Sequence, residues 1–190
     1  MSTEAAREAL FGDALASDES RPAALVPDTG DEGSRRAAAM RAEALMRALA
    51  VLEDSRADDA DERNPVDQSV RRLEAKVDLL LGLVGSLLQR DMPADPVREL
   101  RWSSRGVVID IPAPETPTAQ GARMVFRVQP SDVLPEAMQL PGRVLAVEPS
   151  PAGQRTWLAF DAMPPALEAL VERHLFRVHR RAIAGARRPR

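Results

Sequence analysis

Cysteine is absent from the chain, which excludes disulfides and thiolate metal sites and ties it to no oxidising compartment. Lysine is nearly so: Lys76 stands alone among 26 basic residues. Arginine is the default cation, and a single arginine therefore says little about a phosphate site. The two histidines, His174 and His179, are five apart, not the three or four that set two ligands on one helix face, so no metal site is expected. No glycine-rich phosphate loop follows a strand. Asp110 and Asp161 flank apolar stretches without a second carboxylate or histidine at a catalytic spacing, so no enzyme and no cofactor are expected. The opening MSTEAAREALFGDALASDES is acidic where a secretory leader would be basic and then apolar, and a cytoplasmic protein is expected. The longest apolar run, Val77 to Leu88, is interrupted by Asp78 and is well short of the ~20 residues a bilayer span requires.

What is present is periodicity. Val66, Val70, Leu73, Val77, Leu80, Val84 and Leu87 recur in alternating steps of four and three, with Val70, Val77 and Val84 at a and the others at d of a heptad seam. Asn64 and Pro65 mark its start as cap and first turn. Leu81, Leu83 and Leu88 widen the stripe into the flanking e and g positions, where a two-stranded coil carries charges; more than one neighbour is expected, and a homotetramer is preferred to a dimer. Ala38, Ala42, Leu45, Leu49 and Leu52 form a shorter seam of the same kind, in a helix capped by Ser34 and joined to the main one by the charged ADDADER turn. Residues 34–91 thus read as oligomerisation helices.

Charge is unevenly divided. Residues 1–64 carry 15 acidic and 8 basic side chains, whereas the last 18 residues carry seven arginines and no carboxylate side chain. Residues 1–33 mix a short Ala- and Leu-containing segment with Pro, Gly, Asp and Ser and are expected to be disordered. The basic end, residues 185–190 in particular, reads as a solvated tail; with only Phe176 among its arginines, base stacking has little to work with and nucleic acid is not an expected partner.

After the prolines of DMPADP the period falls to two. Strands are predicted over 97–102, 106–111, 122–129, 142–148 and 155–160, separated by Pro112, Pro114, Pro117, Pro130, Pro135, Pro149, Pro151 and Gly153, and a closing helix over 164–184 with Leu167, Leu170, Val171, Leu175 and Val178 on its inner face. The fold class is α+β: a small antiparallel barrel, residues 97–184 with its helix, behind the heptad helices.

The run Arg101-Trp102-Ser103-Ser104-Arg105-Gly106, the later LPGRVLAVEPSPAGQRTWLAFDAMP and the Arg-rich closing helix resemble a PilZ domain over about 97–181, through its D/N-x-S-x-x-G motif and strand order. The resemblance implies a cyclic di-GMP receptor fold, with Arg98, Arg101, Ser103, Arg105 and Gly106 as the candidate nucleotide-binding residues. Binding members also carry R-x-x-x-R in the loop before the barrel. SLLQRDMPADPVREL supplies no such pair, the family's opening strand has no obvious counterpart, and Arg101 stands where an acceptor should read guanine N–H groups. The resemblance is therefore to an atypical branch that keeps the barrel and loses the nucleotide grip; cyclic di-GMP is not favoured as a ligand, and an unidentified signalling, pilus or motility protein is the expected partner besides further copies of the chain.

Overall fold

The computed structural model describes residues 1–58, 77, 95–112, 118–132, 134 and 136–186. Helix α1 is Thr3–Phe11, strand β1 Ser17–Pro27 and helix α2 Glu32–Asp58. Strands β2 (Val97–Trp102), β3 (Gly106–Ile111), β4 (Arg123–Val128), β5 (Met138–Ser150) and β6 (Gly153–Phe160) follow, and helix α3 (Pro165–Ala186) closes the chain. All pairings are antiparallel, and the six strands close a barrel in the order β1-β2-β3-β6-β5-β4. Closure leaves no exposed strand edge.

Period-two side chains fill the interior: Leu100 and Trp102, Val107, Ile109 and Ile111, Met124, Phe126 and Val128, Met138 and Leu140, Val144 and Leu158 are all buried in one cluster. Two helices stop the barrel. From α3, Leu167, Val171 and Leu175 enter the cluster, and from α2 Ala42, Leu45, Met46 and Leu49 do so. The Ala-rich seam of α2 is thus spent on its own barrel and on α3. Strand β5 is long enough to serve both β4 and β6 because its register with β6 shifts between Val144 and Ala146, a bulge that bends it.

Three expectations are corrected. Residues 1–33 are not disordered: they form α1 and β1, and β1 completes the barrel. Its first half, Ser17 to Pro22, pairs with β2, and its second half, Ala23 to Pro27, with β4. Pro22, which has no N–H to give, stands where the strand changes partners; its carbonyl accepts from Gln129 N at 3.0 Å. The family's opening strand therefore has a counterpart after all, and the helical region beginning at α2 lies between the first and second strands of the barrel instead of ahead of it. The start of α2 is also earlier than Ser34: Asp31 Oδ1 accepts from Ser34 N at 2.8 Å and acts as the cap. The predicted seam, Val66 to Leu87, lies outside the described residues except for Val77, which is helical and 46% exposed.

Candidate ligand and interaction site

The candidate motif is the β2–β3 hairpin. Its turn is held by Ser103 N donating to Gly106 O at 2.9 Å and by Arg105 N donating to Ser103 Oγ at 3.0 Å, a local side-chain turn of the kind serine favours. The same Oγ donates to Leu10 O at 2.7 Å, at the end of α1, and Ser103 is fully buried. A Cβ at Gly106 would overlap the Leu158 carbonyl oxygen and Leu10. Glycine is required there because β6 and α1 both press against the backbone.

The arginines are likewise engaged from within the chain. Arg105 bonds Asp13, whose carboxyl is held below its ordinary value by that hydrogen bond and the guanidinium charge. Arg101 reaches Asp18 at 3.1 Å and lies over the Phe11 ring at 5.4 Å. Arg98 faces Arg21 across the β1–β2 ladder. Trp102, between the motif residues, points inward and donates from Nε1 to Glu19 at 2.8 Å. So β2 and β3 do bring Arg101, Ser103, Arg105 and Gly106 together, and the N-terminal segment covers them. Its helix is fastened by Ser2 as N-cap and by Ala6 and Leu10, which pack on Ala146 and Trp157 outside the barrel.

Beside α1 lies an open groove of about 550 Å³. Its walls include Phe11 and Trp157, three guanidiniums (Arg7, Arg101, Arg155) and four carboxylates (Asp18, Glu19, Glu99, Asp110). Arg155 is closed on Asp110 by two bonds of 2.9 and 3.0 Å, which raise its affinity for its proton. A groove with more carboxylates than cations, in which Arg101 and Arg155 are already paired, offers little to a double phosphate.

The residues that sequence reasoning missed lie at the α2–α3 junction. Glu53, with 6% of its side chain exposed, accepts from Arg177 at 3.0 Å, pairs with Arg181 at 3.0 Å and stands 3.7 Å from His174 Nδ1. Burial alone would raise its carboxyl; His174 and the two guanidiniums outweigh it and hold Glu53 at about 2, below an ordinary 4.5. His174 is 3% exposed and packs on Trp102 with ring centroids 6.1 Å apart. The signal was there: Glu53 falls four residues after Leu49, and His174 three after Val171, so each continues the buried face of its helix. Among the described residues no group of three or more metal-ligating side chains occurs, and no helix is long and apolar enough to cross a membrane.

Residues 46–188 match the family model described as atypical PilZ domain, cyclic di-GMP receptor. Among solved structures the chain is similar to a pathogenic protein from Xanthomonas campestris, described as a new tetrameric PilZ domain self-assembled via an unusual helical bundle. The two are 36% identical over 96% of this chain and 97% of that one, with a TM-score of 0.79. Weaker likenesses are to the cyclic di-GMP-bound PilZ domain of YcgR from Escherichia coli (14% identity, 50% of this chain and 82% of that one, TM-score 0.39) and to the inhibitor of motility MotI/DgrA of Bacillus subtilis (10%, 49% and 44%, 0.38). No curated protein matches.

Proposed function

Since the chain belongs to the atypical PilZ family, we propose that it is a non-enzymatic adaptor of the bacterial cytoplasm. Heptad helices centred on Val66, Val70, Leu73, Val77, Leu80, Val84 and Leu87 multiply its barrel into a homotetramer, and the barrels act through protein–protein contact in motility or virulence signalling. The observation that carries the non-nucleotide part is the occupied hairpin: Ser103 is spent on Leu10 and Arg105, Arg105 on Asp13, and Arg101 on Asp18. With β1 as the opening strand, residues 1–16 ahead of it hold Arg7 as their one arginine and supply no R-x-x-x-R pair. The assembly part is supported by the heptad pattern and by the tetrameric description of the Xanthomonas relative. Repeating the barrel raises avidity without any new contact.

Light scattering over a dilution series tests assembly. A tetramer is expected, with Val77→Glu/Leu80→Glu reducing it to smaller species while the strand signal in circular dichroism persists; a wild-type monomer at micromolar concentration ends the reading. The family description favours a second reading, a cyclic di-GMP receptor acting through Arg101, Ser103 and Arg105, with Arg98 and Gly106 beside them. Calorimetry with the nucleotide separates the two: the adaptor reading expects neither heat nor a thermal shift at about 100 μM ligand.

A further inference from the structure

The outer face of α3 sets apolar and cationic side chains in one line. Opposite the buried Leu167, Val171 and Leu175, the helix presents Arg173, Phe176, Arg180 and Ile183 in steps of three, four and three, all exposed. That spacing places them along one line of the helix. Phe176 is 52% exposed and Ile183 42%, and the Arg180 guanidinium lies over the Phe176 ring at 5.8 Å. Arg36, Arg47, Arg101 and Arg105, exposed elsewhere, have carboxylate partners. No carboxylate among the described residues pairs with Arg180. The sequence carries none after Glu172, and it adds Arg187, Arg188 and Arg190 beyond the helix.

We propose that this face of α3 is a docking surface for anionic phospholipid, laying the protein flat on a negatively charged bilayer with Phe176 and Ile183 inserted at the headgroup level and Arg180 among the phosphates. The geometry is that of an interfacial helix: apolar side chains two turns apart, with cations whose apolar stems run along them and whose heads reach the phosphates. Charge complementarity selects an anionic surface. A single face with two apolar anchors binds weakly, so several copies on one assembly would bind far more firmly; this avidity, and only this, rests on the tetramer proposed above. The attachment is peripheral and reversible.

The test is flotation of the full-length protein with phosphatidylcholine vesicles and with vesicles containing about a third phosphatidylglycerol, at low and physiological salt. Binding to the anionic vesicles alone is expected, weakening as salt rises. Arg180→Glu is expected to lower partitioning by about tenfold or more, and Phe176→Ser/Ile183→Ser to abolish it, with the helical signal unchanged. Arg47→Glu, an equal change of net charge on the exposed side of α2, should leave binding within about twofold. Equal loss in the Arg47 variant would overturn the proposal by reducing it to net charge. So would absence of vesicle binding at low salt, or binding to an acidic peptide or DNA oligonucleotide that survives the Phe176/Ile183 change while vesicles are ignored. In Val77→Glu/Leu80→Glu, weaker binding with the same dependence on Phe176 and Arg180 is expected. Should that variant and the wild type both prove monomeric, the assembly reading fails while the face-specific result stands.

Discussion

Glu53 shows how one side chain fixes the seating of a helix. A carboxylate almost wholly removed from water is costly unless charged partners meet it, and here Arg177 and Arg181 meet it while His174 stands close by. Glu53→Gln leaves the largely covered Arg177 and the more exposed Arg181 facing a neutral amide, and a loss of about 2 kcal/mol in urea unfolding is expected. The pH dependence follows from the lowered carboxyl. Because Glu53 titrates near 2 in the folded chain and near 4.5 when unfolded, its contribution is complete above pH 4.5 and is lost as pH falls toward 2. Urea midpoints measured from pH 6 to pH 2 should therefore fall more steeply in the wild type than in Glu53→Gln over that acid window; parallel curves would show that the carboxylate is not stabilised there. Ser103 and Gly106 were legible as residues of turn geometry, since a serine and a glycine closing a strand turn suit it whatever the ligand. That the serine also holds α1 was not, because Leu10 offers its backbone carbonyl and a backbone acceptor leaves no mark in a sequence.

At the level of elements, what was readable was what repeats. Strands β2 and β3 stand where alternation places them, Val97–Trp102 and Gly106–Ile111, and α3 differs from its expected bounds by one or two residues at each end. Strand β1 was unreadable for a physical reason. SDESRPAALVP has two prolines and five charged or hydroxyl residues at its start, and only Ser17, Ala23 and Leu25 turn fully inward. Its stability comes from two neighbours more than 70 residues further along the chain, so nothing local announces it. Helix α1 was likewise too short to be periodic, with Ala6 and Leu10 as its only buried positions. It covers Trp157, which is 7% exposed. Leu10→Asp, placing a charge against Ala146 and Trp157, should lift the helix from the barrel. The expected outcome is a red-shifted, acrylamide-quenchable tryptophan signal from Trp157, with Trp102, sealed at 1% exposure inside the barrel, still protected. Strand content should survive, because the inner core contains no residue of α1. If both tryptophans stay protected, α1 is not held by Leu10.

For the whole molecule, the topology separates two kinds of stability. The barrel with α2 and α3 closes its core inside one polypeptide: the Ala-rich seam that could have joined a bundle is filled by the chain's own strands. Of the main heptad seam only Val77 is among the described residues, and it is 46% exposed in the single chain. In the proposed tetramer the valines and leucines of that seam are covered by further copies of the chain. Unfolding in urea should accordingly occur in two stages that respond differently to protein concentration. Loss of helix signal from the assembly should move to higher urea as concentration rises, by mass action, whereas the barrel transition, followed by Trp102 fluorescence, should stay fixed. In Val77→Glu/Leu80→Glu the first stage is expected to vanish and the second to shift by less than about 1 kcal/mol, because neither position belongs to the described barrel core. A barrel transition that tracks concentration together with the helix signal would mean that the fold is completed only by its neighbours, and that the single-chain core described above is insufficient to hold it.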